Sequence, residues 1–411
     1  MFPALQYKNY RLYIAGLGLA NVGSLMKQMA VGWLAYRLSD SIFLLGLVSF
    51  SSEVSSFLIG SVSGVIADRI DKRRLLIITH SLLTLCAFVL GYLTMSGHIT
   101  FYLMLVLQVA FGCLSGLEMP ARQSFANDLV EDKAHLPSAI ALTSTLFNTA
   151  RIIGPSIAGL LIPVIGEGLC FVLYGIMSLA IVACFVLIRY QPEVKPVTKL
   201  NFRKEFMEGV HYAYHFEPIR ILLGFVAAIT LLGVSYMVVL PVFTNKVFHA
   251  GAEVFGYMTS ASGIGSVVGA LYLGSKKNAL GLEKVILIGS ILMGLGVSSF
   301  ALSHVLWFSV GALALAGFGR TLIFTGSNTL LQTIAVSDKR GRVLSLYITM
   351  FMGALTLGSL LVGTFSDIIG APYTIFLGGV GCLIISFFYA QRISTITRKT
   401  YKIIRSLELN R

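Results

Sequence analysis

Charge is scarce in this chain. Of 411 residues only 12% are Asp, Glu, Lys or Arg, and the acids are the rarer sign, 18 against 31 Lys and Arg. Soluble domains carry about 25% charged residues, so this composition excludes an ordinary water-facing surface. Cysteine is also sparse: Cys86, Cys113, Cys170, Cys184 and Cys382 each fall inside an apolar run, with neither disulfide nor metal-ligand spacing. There is no His-rich motif, no Gly-x-Ser-x-Gly elbow and no Walker loop. ATP drive through a phosphate-binding loop is thereby excluded, and no nucleophile, base or metal cluster is assembled for an enzyme. His211 and His215 stand four apart with no third ligand near them, the pattern of a solvated helix face rather than a zinc site. No metal and no cofactor are expected.

What the chain has in quantity is apolar length. Hydrophobic residues make up 56% and the mean hydropathy is +0.84. Apolar runs recur at roughly 12–36, 42–66, 75–96, 100–118, 140–165, 168–189, 220–244, 254–274, 284–303, 305–331, 343–366 and 372–391. Each approaches the length that crosses a bilayer core of about 30 Å. The first exceeds a signal-peptide core and lacks a cleavage site, so it is read as a retained first span.

The net charge of +13 reports topology rather than nucleic-acid binding. With the runs threaded in order, 26 of the 31 Lys and Arg fall on one side, while the other side receives Arg37 and Lys246. This is the positive-inside bias, which predicts cytoplasmic N- and C-termini and some attraction to anionic lipid.

The chain is doubled. Gly60-Ser61-Val62-Ser63-Gly64 returns as Gly265-Ser266-Val267-Val268-Gly269, and Gly154, Gly159 and Gly166 share their spacing with Gly358, Gly363 and Gly370. Both offsets are close to half the chain. Parallel repeats in an apolar chain are a signature of carriers that bind between two halves. The predicted organisation is a six-helix bundle over 1–190, a cytoplasmic linker over 191–219, a second bundle over 220–391 and a basic tail over 392–411. In the linker Phe202, Phe206, Val210 and Tyr214 recur every fourth residue, suiting a helix that lies on the membrane surface.

Two motifs make a resemblance specific. Gly64-Val65-Ile66-Ala67-Asp68-Arg69-Ile70-Asp71-Lys72-Arg73-Arg74 resembles the signature between the second and third spans of the major facilitator superfamily. Arg151-Ile152-Ile153-Gly154-Pro155-Ser156-Ile157-Ala158-Gly159 resembles the Gly-Pro motif of that family's antiporters, with Ala150 replacing the usual first glycine. Together with Pro120-Ala121-Arg122-Gln123-Ser124-Phe125 and the Asn148–Arg151 segment, the chain is most similar to the enterobactin-exporter and macrolide-efflux branch. Gln108 departs from it, standing where many antiporters carry arginine.

The resemblance implies an all-α membrane fold: twelve transmembrane helices in two pseudo-symmetric six-helix bundles, acting as a monomer in the inner (plasma) membrane by alternating access. It also implies that Gly64, Asp68, Arg69, Arg73 and Arg74 form a conformational latch, and that Gly154, Pro155 and Gly159 shape the fifth span. The first, fourth, seventh and tenth spans of such carriers line the central cavity. At the position equivalent to the latch acid the second half has Leu273 and Gly274, so no matching acid latch is expected there.

Intramembrane charges cost several kcal/mol unless paired or hydrated. Four read as deep: Lys27, Glu53, Arg151 and Arg320. Lys27 precedes Arg37 by ten residues and Glu53 follows Asp40 by thirteen, which gives depths of about 15 Å and about 20 Å. A Lys27–Glu53 pair is therefore expected, with Glu53, as the sole deep carboxylate, the leading proton carrier and Lys27 its coupling partner. Asn21, Gln28, Asn148, Arg151, Arg320 and Asn328 join Lys27 as expected substrate contacts. Three cations against one acid favour a substrate with carboxylate, catecholate or other anionic groups. The reading is a secondary transporter that exports a small organic, siderophore-like or drug-like molecule in exchange for protons. Import of an iron–siderophore or another small metabolite, and lysolipid transport, remain open alternatives.

Overall fold

The structure is a computed structural model describing residues 3–39, 41–188, 202–276, 280–336 and 339–409; side-chain surroundings are described there except at 61–62, 64–69, 133, 202–206 and 401–409. Among the described residues there is no strand. The helices are α1 (Lys8–Ser39), α2 (Ile42–Arg69), α3 (Lys72–Met95), α4 (Phe101–Asp128), α5 (Leu136–Leu187), α6 (Phe202–His215), α7 (Glu217–Gly233), α8 (Leu240–Lys246), α9 (Ala252–Gly274), α10 (Leu282–Leu302), α11 (Leu306–Ile334), α12 (Arg340–Ile369) and α13 (Ala371–Leu409).

They supply twelve spans. By length and composition alone, ten stretches of the described residues are apolar enough to cross a membrane. That set counts α5 once, although Gly166 (φ 75°, ψ 168°) breaks it into two helices, and it omits α1, whose polar Asn21, Lys27 and Gln28 lower its hydropathy. The seventh span is α7 and α8 joined through a 3-10 turn at Ser235–Val239. The short helix α6 covers most of the described part of the linker, and α7 begins within its last residues.

The repeated glycines have repeated jobs. A Cβ at Gly154 would sit 2.9 Å from Val22 O of α1, and one at Gly358 2.7 Å from Leu231 O of α7. Gly166 and Gly370 both take positive φ (75° and 89°) where one span turns into the next, a conformation glycine adopts without a Cβ clash. Gly112 of α4 and Gly317 of α11, 205 positions apart, each bring their backbone against the carbonyl of a serine, Ser52 of α2 and Ser262 of α9. Small residues at these crossings let helix backbones approach where lipid offers no hydrophobic drive.

Helix ends obey local rules. Asp71 caps α3, its Oδ1 accepting from Arg74 N at 3.0 Å, and Thr100 caps α4 by accepting from Leu103 N. Large apolar side chains such as Tyr102, Val164, Trp307 and Ile368 are exposed, as befits helices solvated by hydrocarbon.

Contacts divide the chain into two compact units. One comprises Met1–Thr198 with Thr244–Ser260, the other Lys199–Phe243 with Ala261–Arg411. The start of α9 therefore packs with the first unit although it belongs to the second repeat.

Candidate functional site

The first unit contains a buried polar cluster. Lys27, on α1, holds its ammonium over the ring of Phe111 on α4, 3.9 Å from the centroid, with the Tyr174 ring of α5 at 5.4 Å. Ring quadrupoles attract a cation and are worth about 2 kcal/mol when desolvated. They compensate the half-buried ammonium only in part and do not neutralise it. Cys86 of α3 and Glu118 of α4 lie within electrostatic reach of Lys27.

Glu118 is the group that sequence reading missed. The fourth apolar run ends at residue 118, which puts this acid at the membrane edge; α4 continues to Asp128, ten residues or about 15 Å further on. Glu118 is 6% exposed, so Glu53 is not the sole deep carboxylate. Arg122 Nη1 donates to Glu118 Oε1 at 2.8 Å, and His80 Nε2 of α3 lies 3.2 Å from the same oxygen. On its other side, His80 Nδ1 is 3.4 Å from Ser178 Oγ of α5. A Glu–Arg pair four residues apart and a histidine eight residues into α3 are visible in sequence, but only the packing of α3 on α4 joins them.

The expected Lys27–Glu53 pair is not among the described ion pairs, and Lys27 turns its ammonium to the aromatic faces instead. Of the other first-half residues, Asn21 is buried and Gln28 exposed. Asn148 is half-buried, and Arg151 lies over Phe147 at 4.7 Å. Gln108 is 4% exposed, and its Nε2 finds no partner among the described residues.

Arg320 is tied into the second unit. Its Nη1 donates to Met237 Sδ at 3.0 Å and its Nη2 to Ser266 Oγ at 3.1 Å, which links α11 to the 3-10 turn and to α9. Ser266 belongs to the repeated Gly265–Gly269 motif and also donates to Ser262 O and Gly317 O. Asn328 Oδ1 accepts from Gln332 Nε2 at 2.6 Å along one face of α11.

Of the latch residues, the side-chain surroundings of Gly64, Asp68 and Arg69 lie outside what is described. Arg73 donates through Nε to Phe185 O and through Nη2 to Val186 O, both at 2.6 Å, capping the end of α5 within the first unit. Arg74 contributes its backbone N–H to the Asp71 cap and its side chain is exposed. In the Gly-Pro motif, Gly154 meets α1, while Gly159 and Pro155 meet α9: a Cβ on Gly159 would sit 2.9 Å from Gly256 Cα, and one on Gly256 3.0 Å from Pro155 O. Beside this contact Trp33, Arg37, Ile162, Pro163, Glu167, Gly251, Ala252 and Glu253 line an open cleft of about 380 Å³, spanned by the Arg37–Glu167 ion pair at 3.0 Å.

A family profile described as "Transmembrane secretion effector" matches residues 2–404. The chain belongs to this family of major facilitator transporters. It is a multi-pass membrane transporter and not an enzyme. The staphyloferrin A transporter of Staphylococcus aureus is 27% identical over 376 residues, covering 90% of this chain and 93% of that protein. Macrolide efflux protein A of Streptococcus pyogenes is 23% identical over 391 residues, covering 91% and 94%. The fold of this transporter matches that of a bacterial homologue of the human lysosomal transporter Spinster, solved inward-facing and unoccupied: TM-score 0.76, 13% identity, 97% of this chain and 98% of that one.

Proposed function

We propose that this transporter exports a small organic molecule bearing anionic groups across the bacterial plasma membrane in exchange for protons. In this reading it works by alternating access as a monomer, with both termini cytoplasmic. The observation that carries it is Lys27, a half-buried cation whose described partners are ring faces rather than a carboxylate. An ammonium so placed retains donors for a substrate carboxylate or catecholate, and the aromatic shelf suits a flat organic body. The printed names of the relatives, a siderophore transporter and a macrolide efflux protein, support a substrate of this size class.

Within the first repeat, Asn21, Gln28, Asn148 and Arg151 are the further substrate contacts in this reading, with Glu53 as a proton carrier. Within the second, Arg320 and Asn328 serve, although Arg320 also holds α11 in place. The bundles are the repeats 1–190 and 220–391, with 191–219 as linker and 392–411 as tail. Gly64, Asp68, Arg69, Arg73 and Arg74 keep the latch role for conformations in which the repeats re-pack.

Membrane vesicles test this. Inverted vesicles carrying the transporter should accumulate labelled staphyloferrin A or a labelled macrolide when the interior is acidified, and a protonophore should abolish the accumulation. Accumulation confined to right-side-out vesicles would establish import and refute the direction proposed.

A further inference from the structure

The end of α6, the start of α7 and the far part of α13 meet at one corner of the second unit. Lys399 Nζ of α13 donates to Glu217 Oε2 of α7 at 2.6 Å, and Arg220 and Arg392 lie within electrostatic reach of the same carboxylate. Three cations thus surround one acid, and two positive charges are left in excess. Arg220 Nη1 caps the end of α6 by donating to Tyr214 O at 3.2 Å, with its guanidinium 5.3 Å from the centroid of the Tyr214 ring. That uses one of the five donors of its fork. Arg392 makes no hydrogen bond or ion pair to a described residue, and both arginines are exposed.

The level of this corner in the bilayer follows from the helices. Arg220 opens the apolar run of α7, and Arg392 directly follows that of α13. Phe225 and Tyr389 pack ring to ring at 4.3 Å. They stand five residues inward of Arg220 and three inward of Arg392, so the two arginines leave the apolar layer together, about 7.5 Å and about 4.5 Å beyond that contact. This is the level of lipid headgroups. Topology alone requires basic residues at span ends; it does not require two spans and a linker helix to bring theirs to one point.

The linker helix adds an apolar edge. One face of α6 is taken by α12: Arg342 Nη1 pairs with Glu208 Oε2 at 3.0 Å, Lys339 Nζ lies 5.0 Å from the Tyr212 ring centroid, and a Cβ on Gly209 would stand 3.1 Å from Arg342 Cβ. Met207 and Tyr214, seven residues apart and so on one face, are left uncovered by protein, 57% and 63% exposed. An uncovered apolar face beside surplus cations matches the boundary between acyl chains and phosphates.

We propose that Arg220, Arg392 and Lys399 form a binding site for the phosphate headgroup of an anionic phospholipid, with Tyr214 and Met207 against its glycerol–acyl boundary. The two guanidinium forks suit phosphate oxygens, and the Lys399 ammonium adds a point charge. The site stands apart from the direction of transport and from proton coupling.

Lipid retention tests it. In native mass spectrometry of the detergent-solubilised protein, the wild type should retain phosphatidylglycerol in preference to phosphatidylcholine. Arg220→Gln combined with Arg392→Gln should weaken that retention about 30-fold, the effect of two cations lost at a membrane surface. Lys8→Gln combined with Arg11→Gln removes the same charge from exposed positions at the start of α1, and should cost less than about threefold. Undiminished retention in the first variant, or an equal loss in both, overturns the proposal, the latter by reducing the site to diffuse surface charge. A second readout uses the wild type alone, so it needs no folded variant. Phosphatidylglycerol with a photoreactive headgroup, in nanodiscs, should crosslink to the end of α6, the start of α7 and the segment of α13 around Arg392. Crosslinks confined to other segments overturn the site. Protection of these segments by soluble glycerol phosphate as well as by phosphatidylglycerol would make the ligand a soluble anion and refute the lipid assignment.

Discussion

Replacing Gly159 by alanine probes the contact between the Gly-Pro motif and α9. The added Cβ would lie 2.9 Å from Gly256 Cα, 3.2 Å from Ala252 O and 3.4 Å from Glu253 O. All three are backbone atoms and cannot rotate aside, so one helix must move. Overpacking of this kind costs about 1–3 kcal/mol. If the cost falls only on conformations that keep this contact, it shifts the equilibrium away from them by about 5- to 150-fold, at about 1.4 kcal/mol per tenfold. The readout is a reporter in the adjoining cleft: Ile162→Cys, in a background without the native cysteines, labelled by a membrane-impermeant maleimide. Gly159→Ala should raise the labelling rate at least about fivefold. Gly311→Ala, where a Cβ meets nothing within 4 Å, should leave it unchanged. Unaltered labelling and transport in a monodisperse Gly159→Ala protein would refute the view that this contact belongs to a moving element.

Further outcomes follow from the same geometry. Gly112→Ala and Gly317→Ala should each destabilise the detergent-solubilised protein by about 1–3 kcal/mol, read as a lowered thermal midpoint, because each Cβ meets a serine carbonyl of the partner helix. Lys27→Met, which keeps the stem's packing on Phe111 but removes the charge, should abolish transport of an anionic probe with normal expression; retained transport would remove Lys27 from the site. Arg73→Ala loses two charge-assisted hydrogen bonds at the end of α5; with one of them exposed, the expected loss is about 1–2 kcal/mol, measured by faster hydrogen exchange at that helix end. Arg320→Lys keeps the charge but cannot span Met237 and Ser266 together, so stability should fall even if substrate affinity is preserved.

The membrane, the twelve spans and the duplication were legible in the chain because they rest on local quantities: hydropathy over about twenty residues, and spacing between small residues. Glycine spacing was informative because a missing Cβ has one physical use at a helix crossing or a turn, and Gly166 and Gly370 turn alike in both repeats. Charge partners were harder to read. The Lys27 ammonium lies over Phe111 and near Tyr174, a contact that spacing along the chain does not reveal. Glu118 was overlooked because the apolar run stops at it while the helix does not.

By itself, then, the amino-acid sequence determined that this protein is a doubled, twelve-span major facilitator carrier with few and basic charges. Tertiary structure alone decided which of those charges meet. A helix advances about 100° per residue, so a buried group's neighbours depend on the rotation and crossing of helices far apart in sequence. His80, Glu118 and Ser178 come from three helices and meet only when α3, α4 and α5 pack.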